Sequence, residues 1–285
     1  MPVSIARRAL LAAPLLSLPA LADDAASSLR ALERRHGGRL GVAMLDTAGG
    51  RRVAYRGDER FPMCSTFKFL AAALMLARVD RGEERLDRRI VLAASDLVTY
   101  SPATKEHVGP GGITVGEICA AAMTLSDNTA GNLMLASFGG PAGLTGFVRE
   151  LGDTVTRLDR IETDLNEGTP GDPRDTTSPL AMLGTMQKLV VGDALWAASR
   201  ERLVGWLVAS KTGDKRLKAG MPSSWRVGDK TGTGGHGSAN DIAVAWPPGR
   251  APVLVTAYYT GSTISDEARS AVIAEAGRIA TAGLG

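Results

Sequence analysis

The amino-acid sequence predicts an α/β (α+β) fold, in which an antiparallel five-stranded sheet is flanked by helices and carries an inserted all-α domain. Segments with β character occur only near the two ends of the chain, at residues 40–45, 51–55, 224–229, 242–246 and 253–259. Between these groups, from about residue 65 to residue 208, Ala, Leu and Met recur with helical spacing. Hairpin-like links within each group favour antiparallel pairing.

The elements follow one another as helix, two strands, a helical block, three strands and a closing helix. The first helix is predicted at residues 24–37 and the closing helix at residues 266–281. Turn-forming residues at 46–50 and 247–250 predict hairpin loops. The helices predicted within the helical block cover residues 67–79, 114–124, 129–138, 141–151 and 178–190.

This order predicts that both chain ends build one domain. We expect an α/β domain from residues 23–62 and 209–285 and an all-α domain from residues 63–208. The terminal helices should cover one face of the sheet. A site is expected in the cleft between the two domains, where ligands commonly bind.

The first 22 residues have the pattern of a secretory signal peptide. Arg7 and Arg8 precede an apolar run at residues 9–21, and Ala20-Leu21-Ala22 supplies the small residues of a cleavage site after Ala22. The apolar run is short for a membrane span. We therefore expect a periplasmic or secreted protein without a membrane anchor after cleavage, and the arginine pair also permits export by the twin-arginine route.

Composition and charge exclude several classes of protein. The chain is 44% hydrophobic and 22% charged, with a formal net charge of +3. It has no long run of like charges, so we expect no nucleic-acid partner. The three histidines are scattered, and neither a zinc site nor a Ser-His-Asp triad can be assembled from them. We expect no metal, no cofactor and a monomer.

Two cysteines, Cys64 and Cys119, would permit a disulfide in an exported protein. We expect instead two buried thiols that pack as small hydrophobic side chains.

The first candidate for chemistry is Ser65-Thr66-Phe67-Lys68. A serine and a lysine three residues apart on a helix lie on the same face. A serine hydroxyl needs a base to take its proton, and a lysine kept from water or near other cations can be that base. Taken alone, the motif is also explained by a helix-capping serine and a solvated lysine.

Two further motifs follow along the chain. Ser126-Asp127-Asn128 stands just before a predicted helix, where it could also serve only as a cap. Lys230-Thr231-Gly232 lies in a region of β texture, where it could be an exposed strand with glycine kinks.

The tripeptide Lys-Thr-Gly occurs twice. The copy at residues 211–213 follows a helical pattern, so Gly213 is interpreted as a helix C-cap and Lys211 as a cation of the last turn. The copy at residues 230–232 is followed by clear strands. We therefore assign the chemistry to Lys230.

In that chain order the three motifs resemble those of the serine penicillin-recognising enzymes. The segment Glu162-Thr-Asp-Leu-Asn166 resembles the E-x-x-L-N segment of the class A β-lactamases, a resemblance that extends over nearly the whole mature chain. Arg160 and Asp175 stand where that family closes a loop with a salt bridge. The resemblance implies hydrolysis of penicillins and cephalosporins, and hence antibiotic resistance.

The catalytic roles are carried over from this resemblance. Ser65 would attack the lactam carbonyl, with the N–H groups of Ser65 and Thr233 as the oxyanion hole. Either Lys68 or Glu162 acting through water would take the serine proton. Glu162 would then activate the water that releases the acyl group.

The resemblance also implies the remaining roles at the site. Ser126, polarised by Lys68 and Lys230, would pass a proton to the departing nitrogen, and Asn128 would bind the side-chain amide of the antibiotic. The other residues expected to bind substrate are Tyr100, Asn166, Thr231, Gly232, Thr233, Arg216 and Arg269.

Departures from the family pattern bear on substrate choice. Ala239 stands where some class A enzymes carry the arginine that binds the antibiotic carboxylate, and Arg216 with Arg269 would replace it. Gly234 excludes a disulfide from Cys64 across the strand. These features and Thr233 resemble the extended-spectrum, cephalosporin-active members. A D,D-peptidase or a β-lactam sensor of the same fold is the alternative, and both would acylate without release.

Overall fold

The computed structural model describes residues 19–284, with side chains from residue 24 onwards. The predicted signal peptide lies outside the described residues, except for its last four, which belong to the first helix. The helices are α1 (Pro19–His36), α2 (Phe67–Asp80), α3 (Val115–Thr124), α4 (Asn128–Ser137), α5 (Gly140–Glu150), α6 (Pro179–Val190), α7 (Ala197–Val208), α8 (Leu217–Gly220) and α9 (Asp266–Thr281). The strands are β1 (Arg39–Asp46), β2 (Arg52–Tyr55), β3 (Phe61–Pro62), β4 (Arg89–Leu92), β5 (Gly109–Thr114), β6 (Thr176–Thr177), β7 (Arg226–Gly234), β8 (Ser238–Trp246) and β9 (Val253–Thr260).

The main sheet has five strands in the order β2-β1-β9-β8-β7, and every neighbouring pair is antiparallel. The predicted fold class is therefore confirmed. Strands from both chain ends meet at the centre of the sheet, where β1 pairs with β9. This pairing leaves β7 at one edge of the sheet, where its outer backbone groups are not paired with another strand of the sheet.

Two strands are longer than the sequence predicts. Strand β7 continues through Lys230, Thr231 and Gly232 to Gly234, and β8 begins at Ser238 rather than at residue 242. Polar residues and glycines in these stretches lack the apolar alternation of a strand. The backbone nevertheless pairs through them, with Thr231 opposite Asp241 and Thr233 opposite Ala239. Sequence patterning missed them because it detects side-chain burial and not backbone pairing.

Short strands also occur where only helices were predicted. Strands β4 and β5 form a small antiparallel pair between α2 and α3, and β6 pairs with β3. The first helix begins at Pro19 rather than at residue 24, and it ends at His36 because Gly37 has a positive φ of 68°.

Alternate residues of the sheet supply two separate cores. Ile242 and Val244 face helices α2–α7, whereas Ala243 and Ala245 face α1, α8 and α9. The terminal helices thus cover one face, as predicted. Helix α2 is the centre of the other core, because it is buried from Phe67 to Ala77. A helix that is buried all round presents every side chain to protein, including the polar side chain at position 68.

No helix among residues 19–284 is both long enough and apolar enough to cross a membrane.

We predict that Gly220→Ala will destabilise the protein. Gly220 ends α8 against α9, and a Cβ atom there would lie 1.8 Å from the carbonyl oxygen of Ala274. Relief of this overlap requires a backbone shift, so the free energy of unfolding should fall by about 1–3 kcal/mol. Urea denaturation measures the change.

The matched control is Gly184→Ala within α6, where a Cβ atom would meet nothing within 4 Å. This change should raise the free energy of unfolding by about 0.5–1 kcal/mol, since alanine favours a helix. Equal stability of the two variants would contradict the packing of α8 on α9.

Candidate functional site

The serine and lysine of the first motif meet at the start of α2. Ser65 lies in a 3₁₀ turn, Cys64–Thr66, which runs directly into α2, and Lys68 follows in the first helical turn. Residues three apart therefore share a face. The Nζ atom of Lys68 donates to the Oγ atom of Ser65 at 3.0 Å. Both residues are buried, and Lys68 has no exposed surface.

Four oxygen atoms surround the Lys68 ammonium group. Besides Ser65, they are the carbonyl oxygen of Ser126 at 2.8 Å, Oδ1 of Asn128 at 2.6 Å and Oε1 of Glu162 at 2.8 Å. Burial lowers the pKa of Lys68, while the negative charge of Glu162 opposes that shift. A buried amine beside a carboxylate and a hydroxyl can exchange protons with either.

Glu162 reaches the same hydroxyl from another part of the chain. The Oγ atom of Ser65 donates to Oε1 of Glu162 at 3.2 Å, and Nδ2 of Asn166 donates to Oε2 at 2.5 Å. The Oδ1 atom of Asn166 is buried and has no protein partner. The segment predicted from Glu162 to Asn166 therefore presents both side chains to Ser65.

Asn132, which was not predicted from the sequence, holds Glu162 by its backbone. Its Oδ1 atom accepts from the Glu162 N–H at 2.8 Å, and its Nδ2 atom donates to the Glu162 carbonyl at 2.9 Å. Asn132 lies on α4 one turn after Asn128, and this spacing was the available signal. The two amides thus fix Lys68 and Glu162 from one helix face.

The loop that carries Glu162 is closed at its neck by an ion pair. Nε of Arg160 donates to Oδ2 of Asp175 at 2.6 Å, as the sequence led us to expect. Oδ1 of Asp175 also accepts the backbone N–H groups of Asp159 and Arg160 at 2.8 and 2.9 Å. The side chain of Asp175 is only 1% exposed, so water weakens this pair little.

The second and third motifs meet on the other side of Ser65. Nζ of Lys230 donates to Oγ of Ser126 at 3.0 Å and to the Thr231 carbonyl at 2.8 Å. Burial, together with the nearby charge of Lys68, lowers the pKa of Lys230 to about 7. Lys68 contacts the carbonyl of Ser126 rather than its hydroxyl, which corrects the expectation that both lysines polarise that hydroxyl.

Asp127, the middle residue of the second motif, stabilises the local fold and does not face the cavity-lining groups. Its side chain caps α4 by accepting from the Ala130 N–H at 2.9 Å, and it also accepts from the backbone and the hydroxyl of Thr104. The capping alternative considered for this motif therefore holds for Asp127 alone, while Ser126 and Asn128 face Lys230 and Lys68.

Glycines allow β7 to lie directly against the Ser65 turn. A Cβ atom at Gly232 would lie 2.7 Å from the Met63 carbonyl, and one at Gly234 would lie 2.6 Å from Sγ of Cys64. Larger residues would push the edge strand away from the turn. Position 234 thus faces Cys64, as expected from the sequence. Cys64 and Cys119 are both free and buried, which confirms that expectation.

These elements enclose a cavity of about 350 Å³. Its lining residues are Ser65, Tyr100, Ser126, Asn128, Asn166, Thr212, Arg216, Thr231 and Thr233. A larger surface cavity of about 830 Å³ lies near Arg88, half of its lining residues are charged, and Arg88 itself is paired with Glu84. It contains none of the three motifs. The smaller cavity is therefore the candidate functional site.

Arg216 and Arg269 were both expected at this cavity, and only Arg216 lies there. Arg216 donates to the carbonyls of Gly232 and Asn240 and to Oγ1 of Thr233, each at 2.7 Å. Arg269 instead folds back on the start of its own helix, where it donates to the Ile264 carbonyl and pairs with Asp266. Arg269 is not among the residues that line the cavity, so of the two expected arginines only Arg216 lies at the site.

Thr212 was missed because its tripeptide was assigned to a helix end. Helix α7 ends at Val208 with Ala209 as its C-cap, so Gly213 is not a C-cap and Lys211 is not in the last turn. The segment instead runs along β7, and Oγ1 of Thr212 lies 2.7 Å from Oγ1 of Thr231. The repeated tripeptide was the signal that could have identified it.

Among residues 19–284, no group of three or more His, Cys, Asp or Glu side chains is arranged to hold a metal ion.

Comparisons with known proteins agree with this geometry. A family model described as "Beta-lactamase enzyme family" matches residues 24–284. The chain is 48% identical over 266 residues to β-lactamase CTX-M-8 of Citrobacter amalonaticus, a match that covers 93% of this chain and 91% of that protein. It is 49% identical over 257 residues to β-lactamase L2 of Stenotrophomonas maltophilia, with 90% and 84% covered.

Solved structures show the same similarity. An ancestral class A β-lactamase (GNCA) is 67% identical with a TM-score of 0.88, covering 90% of this chain and 98% of that chain. The class A β-lactamase of the last common ancestor of Gram-negative bacteria (GNCA4) is 62% identical with a TM-score of 0.90, covering 92% of this chain and 99% of that chain.

We predict that Asp175→Asn will loosen the loop from residue 160 to residue 175. The amide keeps the size of the side chain but loses the charge that pairs with Arg160, so the free energy of unfolding should fall by about 1–3 kcal/mol. Urea denaturation and limited proteolysis of the loop measure the effect.

The control is Asp87→Asn, which removes the partner of Arg85 in a pair that is 78% and 70% exposed. No measurable change is expected there, because water screens such pairs. If both variants had wild-type stability, the neck pair would not be what closes the loop.

Proposed function

The chain belongs to the class A serine β-lactamase family, and from this premise we propose that Ser65 and its neighbours hydrolyse the β-lactam ring of penicillins and cephalosporins through an acyl-enzyme. β-Lactam hydrolysis, with the antibiotic resistance that it confers, is the activity of this protein. The observation that carries the assignment of residues is the contact of Ser65 Oγ with both Lys68 and Glu162, at 3.0 and 3.2 Å.

In acylation, Ser65 attacks the carbonyl carbon of the lactam. Its proton passes to Lys68 or to Glu162, and the short distances to both support either route. The N–H groups of Ser65 and Thr233 would stabilise the oxyanion. Both residues line the cavity, because the glycines of β7 let that strand approach the Ser65 turn.

Ring opening needs a proton at the departing lactam nitrogen. The hydroxyl of Ser126 can supply it, because Lys230 donates to that hydroxyl at 3.0 Å and can replenish its proton. Lys68, on the carbonyl of the same residue, positions Ser126. Asn128 remains the candidate for the side-chain amide of the antibiotic.

Deacylation requires a water molecule beside the ester. Oε2 of Glu162 and the unpartnered Oδ1 of Asn166 are both acceptors, and a water molecule beside Asn166, which lines the cavity, could donate one hydrogen to each. Glu162 would take a proton as the oxygen attacks the ester. This step separates a β-lactamase from a D,D-peptidase or a sensor.

Arg216, Thr231 and Thr233 form the proposed site for the carboxylate of the antibiotic. Arg216 holds Thr233 directly, and burial lowers the pKa of Arg216. Tyr100 is 57% exposed at the mouth of the cavity, where it can contact larger substituents. We extend the proposal to extended-spectrum cephalosporins, because Cys64 is free, Gly234 lies against it and Thr233 lines the cavity.

Several proposals concern the protein outside the site. They are export of a chain cleaved after Ala22 to the periplasm or the medium, a monomeric state, and a cleft between an α/β domain (residues 23–62 and 209–285) and a helical domain (residues 63–208). The N-terminal pattern and the composition of the sequence support them.

We predict that Glu162→Gln will acylate but fail to release its product. The amide cannot accept a proton from water, so turnover of a chromogenic cephalosporin should fall by a factor of about 10²–10⁴. Intact-mass measurement should then show an adduct that persists.

The control is Asp164→Asn, an equal loss of charge on the same loop at an exposed position. The Asp164→Asn variant should turn over many equivalents of the cephalosporin without a lasting adduct. A single burst and a lasting adduct in the wild-type protein would instead favour the peptidase or sensor.

We also predict that recognition of carboxylate-bearing substrates declines above pH 7. Lys230 places its charge beside the proposed carboxylate site, because its Nζ atom donates to the carbonyl of Thr231 at 2.8 Å. Since the pKa of Lys230 is lowered to about 7, this positive charge is present below that pH and is lost above it. KM for a penicillin should therefore rise above pH 7. In Lys230→Arg the rise should disappear, because arginine stays charged.

Lys211→Arg is the matched control, since this exposed lysine belongs to the other Lys-Thr-Gly tripeptide. This variant should keep the wild-type dependence of KM on pH. A rise in KM that persists in Lys230→Arg would assign the titration to another group.

A further inference from the structure

Asn240 is a polar residue on the core side of β8, and the proposed reaction gives it no role. Side chains alternate along a strand, so Asn240 lies on the same face as Ile242 and Val244, towards the larger core. It has no exposed surface. Because an amide without partners is costly to bury, its hydrogen bonds show which groups it holds in place.

The amide of Asn240 contacts the segment that leads into the Ser65 turn. Its Nδ2 atom donates to the carbonyl oxygens of Pro62 at 2.8 Å and of Met63 at 3.1 Å. The Met63 carbonyl also accepts the N–H of Thr66 at 3.2 Å, the bond that closes the turn around Ser65. Asn240 therefore holds the carbonyl group on which the turn is built.

The glycine of the third motif leaves the space that this contact needs. Gly232 pairs with Asn240 across β7 and β8. A Cβ atom at position 232 would lie 3.3 Å from Nδ2 of Asn240 and 2.7 Å from the Met63 carbonyl oxygen. A side chain there would crowd both partners of the hydrogen bond. Glycine and asparagine thus together allow the turn to lie against β7.

The Ser65 turn needs support from outside itself. Cys64, its first residue, has a φ of 46°, in the left-handed region that residues other than glycine rarely adopt. Such a conformation persists where the surroundings determine it. Within residues 24–284, Asn240 makes all the hydrogen bonds between the five-stranded sheet and the backbone of residues 62–66. The neighbouring loop adds one more, since the carbonyl oxygen of Asp175 accepts from this segment at 2.9 Å.

The position of this turn decides the geometry of the oxyanion hole. As Oγ of Ser65 bonds to the lactam carbon, an electron pair of the carbonyl bond moves onto its oxygen, and the N–H groups of Ser65 and Thr233 would stabilise that charge. One N–H belongs to the turn and the other to β7. Their separation therefore depends on what holds the turn to the strand.

We propose that Asn240 is a positioning residue of the oxyanion hole, whose amide holds the Ser65 turn at the distance from β7 at which both N–H groups can bind one oxygen atom. Asn240 is not among the residues that line the cavity, so it acts through Ser65 and not on the substrate. The inference rests on the proposed function, because it takes the lactam carbonyl as the group that the hole binds.

The backbone of Asn240 has a different partner, and this separates two effects. Its carbonyl oxygen accepts from Nη1 of Arg216 at 2.7 Å, and Arg216 belongs to the proposed carboxylate site. A change of side chain keeps this carbonyl group. It should therefore slow acylation and leave binding of the carboxylate in place, whereas a general loosening of the edge strand would weaken both.

The test is Asn240→Leu, which keeps the branched shape of the side chain but cannot donate to either carbonyl. Rapid mixing with a chromogenic cephalosporin measures the dissociation constant of the first complex and the acylation rate constant separately. The rate constant should fall by about 10–10²-fold, as for a misplaced reacting group, and the dissociation constant should stay near the wild-type value. Asn240→Ala removes the same donor without filling the space, and it serves if leucine prevents folding.

The carbonyl group of the acyl-enzyme gives an independent measure of the hole. In Glu162→Gln the ester should persist, and ¹³C labelling isolates the stretching band of its carbonyl in infrared difference spectra. Hydrogen bonds from the hole lower this frequency. Adding Asn240→Leu to Glu162→Gln should therefore shift the band to higher frequency, a change that a loss of stability alone would not cause.

The matched control is Thr256→Val, which removes another buried hydrogen bond from the sheet to a proline carbonyl. Oγ1 of Thr256 donates to the carbonyl oxygen of Pro179 at 2.9 Å, at the start of α6 rather than at the Ser65 turn. This variant should lose stability and keep the wild-type acylation rate constant. With Glu162→Gln added, it should also keep the carbonyl band of Glu162→Gln.

Wild-type acylation with an unshifted band in the Asn240 variants would overturn the positioning role and leave the proposed function intact. Equal effects of Thr256→Val, or weaker binding without a shift of the band, would overturn it as well. If the wild-type protein neither turned over the cephalosporin nor formed an adduct, the proposed function would fail and the positioning role with it.

Discussion

Lys68 and Glu162 carry opposite charges 2.8 Å apart, and neither side chain has any exposed surface. Removing two charges from water costs several kcal/mol for each, so such a pair persists only where further polar contacts surround it. Here Lys68 has three more oxygen neighbours, and Asn166 donates to the second oxygen of Glu162. The pair fixes the two groups that contact the Ser65 hydroxyl.

Much of the fold serves to hold these two side chains together. Lys68 belongs to a helix that is buried on every side, so its position is set by the packing of the larger core. Glu162 belongs to a loop, and that loop is held at its neck by Asp175 and at Glu162 itself by Asn132. A loop residue can thus be placed as firmly as a residue of a helix, because its backbone groups are bonded to rigid elements.

The edge strand supplies the opposite wall of the site through close backbone approach. Glycines at 232 and 234 leave room for the Ser65 turn, and Gly235 donates its N–H to the Asn166 carbonyl at 2.7 Å. This last bond ties the loop of Glu162 to the end of β7. Serine, loop and strand therefore share one rigid frame, in which reacting groups need little reorganisation.

The sequence by itself determined the order of the elements, the fold class and the three motifs, because helical and strand periodicity and spacings of three residues are local properties of the chain. It could not determine contacts between distant segments, such as Ser65 with Glu162, which are 97 residues apart. Asn132 was missed and Arg269 was expected at the cavity for this reason, whereas Thr212 was missed because its tripeptide was assigned to a helix end. Only the packing of α2, the loop and β7 decided which side chains meet, since a side chain reaches a few ångströms and the backbone must first be brought that close.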